Sequence, residues 1–213
     1  NIQCEYLHQA ARDSVFKIRS AKLDMYQLDD ETHNRKKAVT SLARLLAQSP
    51  VLSRITFDCT EGESCYLATH LGTLLQDGLV KNPYGRLRSL QFYELYLRDE
   101  GSPQVQSLIV DSLGELTTVK ELVLDGCSTN FVSLVCRGLM RGHAKFEKVN
   151  ISSRYYSEDV VALLASPPLV NLKSLHFDYI SNNLLESLAG FNRNLTTLSF
   201  DWIALGDCAS LAR

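Results

Sequence analysis

The sequence has no long apolar run and no excess of basic residues, and each absence excludes a class of protein. No apolar stretch approaches the ~18–20 residues of a transmembrane helix, so we expect no membrane span. Lysine and arginine number 22 against 24 aspartates and glutamates, for a formal net charge of −2. Because a sequence-independent nucleic-acid binder carries a basic excess, we expect no nucleic-acid partner.

Paired cysteine motifs and a signal peptide are also absent. The cysteines form no C-x-x-C pair and are too scattered for the disulfide framework of a small secreted domain. The first residues lack the basic segment followed by an apolar segment that marks a signal peptide. We therefore expect reduced thiols in a cytoplasmic or nuclear protein. The cysteines are Cys4, Cys59, Cys65, Cys127, Cys136 and Cys208.

The motifs of common enzyme classes are missing too. The chain contains no H-E-x-x-H, no G-x-x-x-x-G-K-[ST], no G-x-S-x-G and no G-x-G-x-x-G. The spacing of Cys59, Cys65 and His70 matches no zinc pattern. His176 and Asp178 would share one strand face, but no serine or cysteine nucleophile is evident beside them. We expect a protein that is not an enzyme and that uses no cofactor and no metal.

What the sequence does contain is a recurring L-x-x-L-x-L spacing, seen clearly at Leu87, Leu90 and Phe92. Apolar and polar residues alternate within each copy, which is the two-residue period of a half-buried strand. The distance between copies shortens toward the C-terminus. The copies occupy residues 18–23, 52–57, 87–92, 119–124, 146–151, 172–177 and 195–200.

Between these segments the apolar residues recur every three or four positions, as in an amphipathic helix. Proline and glycine, as at Pro50, Gly85 and Pro167, separate helix from strand because they stop helices. Strand–helix units of this kind bury their apolar faces only against neighbouring units, so they stack into a one-dimensional array. Helical faces are predicted at residues 38–46, 67–75, 105–113, 131–139, 160–164 and 184–188.

On these seven segments the chain resembles the leucine-rich repeat family, over about residues 14–213. Its long, helical repeats are similar to the ribonuclease-inhibitor-like and cysteine-containing subclasses, which occur in F-box substrate receptors and NOD-like receptors. The resemblance implies an α/β solenoid of about seven repeats, with a curved parallel β-sheet on the concave face and helices on the convex face. We expect residues 1–213 to form a single domain.

The chain departs from the family at the position three residues after the last apolar residue of each strand. The family usually places Asn or Cys at this position, and only Cys127, in Leu124-Asp-Gly-Cys127, fits. No polar ladder can run through the loops, so we expect them to be irregular. The sequence also begins without Met, and its ends look cut, so we expect a piece of a longer protein. Leu198 and Phe200 of the last repeat would then be partly bare.

The residues between the strand leucines should point out of the concave sheet, which would expose side chains such as Thr56 and Val123. One such column carries five aspartates, although aspartate is unfavourable in strands and like charges on adjacent strands repel. One interpretation is an acidic stripe that pairs with basic residues of a partner. The other is turn chemistry, in which each aspartate accepts hydrogen bonds from its own backbone. The aspartates are Asp24, Asp58, Asp125, Asp178 and Asp201.

Aromatic residues accompany the aspartates at the strand ends. Tyrosine and tryptophan dominate the binding energy of many interfaces, although they could equally fill space between repeats. The densest group combines His176, Asp178, Tyr179, Asp201 and Trp202. Together with four residues of earlier repeats it forms the candidate partner-binding site. The full set is Arg54, Asp58, Tyr93, Asp125, His176, Asp178, Tyr179, Asp201 and Trp202.

These features predict a protein-interaction module that binds a protein or peptide, with a basic patch, on its concave face. By resemblance, its context would be the substrate-recognition part of a ubiquitin ligase. Two alternatives stay open, namely the ligand-sensing domain of an innate-immune receptor and a structural subunit of a constitutive complex. The oligomeric state also stays open.

Overall fold

Seven strands form one sheet in which every neighbouring pair is parallel and the strands lie side by side in chain order. The computed structural model describes residues 18–25, 33–59, 68–96, 102–152, 158–180, 184, 188 and 194–203. The strands confirm all seven repeat segments. They are β1 (Ser20–Asp24), β2 (Arg54–Asp58), β3 (Ser89–Tyr93), β4 (Glu121–Asp125), β5 (Lys148–Ser152), β6 (Ser174–Ile180) and β7 (Thr197–Ile203).

The strands pair in register, so that equivalent positions of successive repeats lie side by side. Leu90 of β3 is paired with Leu122 of β4, and Phe92 with Leu124. The columns read from the sequence are therefore ladders that run across the sheet. The helices that follow successive strands contact one another, so they lie on the same face of the sheet.

Helices connect the strands where the apolar period changes. Two of them begin in the same way, because the side chains of Ser102 and Ser128 accept hydrogen bonds from the backbone N–H groups of Val105 and Phe131. The helices are α1 (His33–Gln48), α2 (Ala68–Thr73, continuing as a π-helix over Leu74–Val80), α3 (Pro103–Glu115), α4 (Thr129–Arg141) and α5 (Glu158–Leu164), and a 3-10 turn follows at Pro167–Leu169.

The structure confirms helices at five of the six predicted segments, and most of the sixth, at 184–188, falls outside the described residues. In α1 the buried side is rotated from the prediction, since Val39, Ala43 and Leu46 are buried while Ala38 and Leu42 are only partly so. Among the described helices, none is both long and apolar enough to cross a membrane.

The core lies between the sheet and the helices and is linked from repeat to repeat by aromatic rings. Phe57 of β2 stacks on Phe92 of β3 at 5.3 Å between ring centroids. Phe92 meets Phe131 of α4 edge-on at 5.2 Å. All three rings are fully buried. Because a single repeat cannot bury its own apolar face, such contacts hold the array together.

Parts of the open face are more buried than the sequence predicts. Thr56 and Val123 are buried, at 9% and 6% exposure, although both were expected to be exposed. Thr56 donates to Gln91 Oε1 at 3.0 Å, and Gln91 donates to Ser89 Oγ at 3.1 Å. The Thr56 and Gln91 side chains, on adjacent strands, thus cover one another. The alternation of residues within a single strand does not predict this burial.

Cys127 occupies the one loop position that fits the leucine-rich repeat pattern. Gly126 has a φ of +63°, a left-handed conformation suited to glycine, at the turn just before it. The Cys127 thiol lies 3.5 Å from the carbonyl oxygens of both Phe92 and Asp125, at the carboxyl ends of β3 and β4.

The cysteines do not all follow the expectation of reduced thiols. Cys127 and Cys136 are free and buried. Cys59, however, is disulfide-bonded, so the expectation was wrong at this position. Disulfides are typical of oxidising compartments, and the location of the protein stays a prediction. Sequence spacing did not reveal it because disulfide pairing depends on distance in the fold.

We expect Phe92→Ala to lower the free energy of unfolding by about 3–5 kcal/mol, because it removes a ring that contacts two neighbouring repeats. Urea unfolding followed by circular dichroism measures the change. The control is Tyr84→Ala, at a site that is 49% exposed, where a change within about 0.5 kcal/mol is expected. Equal losses in the two variants would contradict the role assigned to the aromatic contacts.

We expect Cys127 and Cys136 to resist alkylation in the native protein at pH 7. Burial raises the pKa of the Cys127 thiol to about 12 and also raises the pKa of Cys136, so the reactive thiolate is scarce. Mass spectrometry after iodoacetamide treatment should find both labelled only in denaturant, and Cys59 labelled only after reduction. Native-state labelling of Cys136 would contradict this assignment.

Candidate functional site

The five predicted aspartates lie toward the carboxyl ends of the strands, and we call them the acidic rim: Asp24, Asp58, Asp125, Asp178 and Asp201. Asp24 is paired with Asp58 across β1 and β2. Tyr93 lies in the same column, paired with Asp58 on one side and Asp125 on the other. The predicted column therefore exists as a continuous ladder.

Asp58 is not available to a partner, which corrects its place in the predicted site. Its side chain is only 8% exposed, and it forms an ion pair with Lys22 of β1. Asp178 likewise accepts a hydrogen bond from Ser152 on the neighbouring strand. Neither interpretation of the aspartates foresaw these partners, which come from adjacent repeats and relieve repulsion along the ladder.

The C-terminal end of the acidic rim brings together the residues of the densest predicted group. Ligand atoms of His176, Asp178 and Asp201 all lie within 4.8 Å of one another. Trp202 is 73% exposed and is paired with the half-buried Tyr179. An imidazole nitrogen and two carboxylate oxygens could hold a divalent metal ion in this arrangement.

A serine also lies beside this histidine, contrary to the sequence expectation. Ser199 Oγ is 2.9 Å from His176 Nδ1, and His176 Nε2 is 3.3 Å from Asp178 Oδ1. The three residues are linked in the order Ser–His–Asp, but through the opposite ring nitrogens from a catalytic triad, in which Nε2 faces the serine and Nδ1 the carboxylate. Ser199 is exposed on an open strand, however, and acyl transfer needs donors aimed at a bound carbonyl in a site that excludes water.

Arg54 and Tyr93 are separated from this group. Tyr93 is half-buried, and burial together with Asp125, Glu121 and Asp58 raises the pKa of its phenol. Arg54 begins β2 and is exposed, on the opposite edge of the sheet from the acidic rim. A strand rises ~3.3 Å per residue, so Arg54 lies about 13 Å along the strand from Asp58. The predicted site is therefore divided between the amino-terminal and the carboxyl-terminal ends of the strands.

Glu121 connects cations on the edge where Arg54 lies. It accepts from Lys148 Nζ at 3.1 Å and lies 4.0 Å from the Arg54 guanidinium. Burial acts to raise the pKa of Glu121, but hydrogen bonds from Ser89 and Lys148 and the charges of Lys148 and Arg54 outweigh burial and lower it. The carboxylate, on β4, is thus held ionised by side chains of β2, β3 and β5.

A basic column that was not predicted lies at the amino-terminal ends of the strands. The residue before each strand start lies beside its equivalent in the next repeat, as shown by backbone hydrogen bonds from Lys120 to Arg88 and from Lys173 to Glu147. Reading the second position of every L-x-x-L would have found it. The column is Arg19, Ser53, Arg88, Lys120, Glu147, Lys173 and Thr196.

Part of this column lines a groove of about 680 Å³, which we call the basic groove. Its charged or titratable lining residues are Arg88, Lys120, His143, Lys145, Glu147 and Lys173. Glu147 forms ion pairs with Lys120 and, at 3.0 Å, with Lys173. Hydrogen bonds from these two lysines, aided by their charges, lower the pKa of Glu147 to about 2.

The in-register parallel sheet, with one strand per repeat and helices between strands, defines a leucine-rich-repeat-like solenoid. No protein-family model matches the chain. No curated protein matches its sequence either.

Among solved structures, the chain is similar to the tropomodulin C-terminal domain of Caenorhabditis elegans. The two are 14% identical with a TM-score of 0.46, and the match covers 87% of this chain and 91% of that one. A likeness at this level carries no argument about function, and the subclass within the leucine-rich repeats stays a prediction.

Proposed function

We propose that this chain is a non-enzymatic recognition module that binds a protein or peptide partner at the C-terminal end of the acidic rim. The observation that supports the proposal is the 73% exposure of Trp202 directly beside Asp201. A large exposed aromatic residue next to a carboxylate is typical of an interface anchor. The chemistry calls for a lysine or arginine of the partner that pairs with Asp201 and for an apolar group that packs on the indole, because consecutive residues of a strand point to opposite sides of the sheet.

The cellular context follows from resemblance alone. A substrate receptor of a ubiquitin ligase would present this surface to a protein to be modified. An innate-immune sensor would use the same surface to read a ligand. The identity of the partner that the surface captures discriminates between these contexts.

One observation favours the other alternative, a subunit of a constitutive complex. Leu198 and Phe200 are 42% and 37% exposed, whereas Leu175 and Phe177, their neighbours in the same columns, are fully buried. Exposed apolar residues on a described edge strand are a place where another chain can pack.

We expect the double variant Asp201→Lys, Trp202→Ala to lose a partner that the wild-type chain captures from cell extract. The change should weaken binding at least about 30-fold, because truncating even one interface anchor costs about 2 kcal/mol or more. Affinity capture identifies the partner, and isothermal titration with the purified partner measures the loss.

The matched control is Glu115→Lys, Tyr84→Ala, which makes the same change in charge and aromatic content at exposed sites away from the acidic rim. It should retain the partner, and circular dichroism should show both variants folded. If the two double variants bind the partner equally well, the acidic rim is not the binding site. Loss of the partner on changing Leu198 or Phe200 alone would support the constitutive-subunit alternative.

We expect no catalysis from Ser199 and its neighbours. Wild-type protein and Ser199→Ala should hydrolyse p-nitrophenyl acetate at the same rate, because the open strand offers no oxyanion donors aimed at a bound ester. Burst and steady-state absorbance measurements test this. A rate that falls by about a hundredfold or more in Ser199→Ala would instead identify a serine hydrolase.

A further inference from the structure

We propose that the basic groove binds an anionic peptide segment, either rich in carboxylates or phosphorylated, of a protein partner. The groove lies on the opposite edge of the sheet from the acidic rim and shares no residue with it. The inference deepens the proposed function by naming a second contact and its chemistry, but it rests on separate side chains.

The lining of the groove carries an excess of positive charge. Arg88, Lys120, Lys145 and Lys173 face it with a single carboxylate, that of Glu147. Glu147 is already shared between two of the lysines. None of the ion pairs recorded among described residues involves Arg88 or Lys145. An entering anion would therefore meet cationic groups that are not committed to another carboxylate.

The regular spacing of the ladder explains why an anion is favoured. Equivalent residues of adjacent strands lie ~4.8 Å apart, and like charges at that distance repel. Arg88 and Lys120 are such neighbours, since the Lys120 N–H donates to the Arg88 carbonyl. Glu147 offsets this repulsion only on the far side of Lys120. A bound carboxylate or phosphate would do the same for the pair of Arg88 and Lys120.

The dimensions and surroundings favour a short peptide segment over a nucleic acid. A volume of about 680 Å³ lies within the ~300–1,000 Å³ range of pockets that hold a small ligand or a few side chains. The net charge of −2 and the acidic rim, about 17 Å away along the strands, would repel a long polyanion. Threonine and asparagine side chains in the lining add hydrogen-bonding groups, as at Thr118, Asn171 and Thr196.

The test uses fluorescence anisotropy with three labelled probes: a hexaglutamate peptide, a phosphoserine peptide in a glycine background and a short single-stranded DNA. The wild-type chain should bind at least one peptide more tightly than the DNA, and added salt should weaken the binding. The tighter peptide reveals whether carboxylate or phosphate is the preferred anion.

Two variants of the groove should shift affinity in opposite directions. Lys145→Gln with Lys173→Gln should weaken peptide binding about five- to tenfold. Glu147→Gln should strengthen it, because this change removes the carboxylate that competes for Lys120 and Lys173. The control Lys36→Gln with Lys37→Gln makes the same charge change on the exposed side of α1 and should leave affinity within about twofold.

Several results would overturn the proposal. One is that the wild-type chain binds neither peptide at ~1 mM. Another is that the α1 control weakens peptide binding as much as the groove variant does. A third is that Glu147→Gln binds the peptide more weakly than the wild-type chain. Tighter binding of the DNA than of both peptides would identify a nucleic-acid site instead. The double variant at Asp201 and Trp202 should bind the anionic peptide normally, so a failure at one surface is distinguishable from a failure at the other.

Discussion

In-register pairing of parallel strands is the constraint on which the rest of this structure depends. Each repeat adds one strand to the same edge, so that every side chain lies next to its equivalents in the repeats before and after it. For apolar residues this produces continuous columns. The ring contacts from Phe57 to Phe92 and from Phe92 to Phe131 show how apolar side chains join neighbouring repeats. Stability is therefore built from contacts between neighbours rather than around one central core.

The same constraint brings like charges together, and the structure relieves the repulsion with partners from adjacent strands. Lys22 neutralises Asp58, and Glu121 lies between Arg54 and Lys148. At the strand starts Glu147 separates Lys120 from Lys173. The two ends of the strands are therefore oppositely charged. The carboxyl ends are acidic and carry an exposed tryptophan, and the amino-terminal ends are basic and carry a groove. A partner could touch both only by extending along the length of the strands.

The repeat spacing was enough to predict all seven strands, the order of the elements and the place of Cys127, because these follow from local periodicity. It was not enough to predict that Asp58 and Thr56 are buried, since their burial comes from side chains of other repeats. The basic column was visible in the sequence, at the second position of each L-x-x-L, but only when the repeats are aligned with one another. Ser199 was not linked to His176 because their contact crosses from β6 to β7.

The sequence by itself determined the class of fold and the residues that form each column, because a two-residue or 3.6-residue period states which side chains share a face. Only the tertiary structure decided which members of a column are open to solvent and which are paired. Exposure depends on how closely neighbouring strands pack, and pairing depends on reach between side chains more than twenty positions apart. That is the physical reason why Asp201 stays exposed while Asp58, in the same column, is buried.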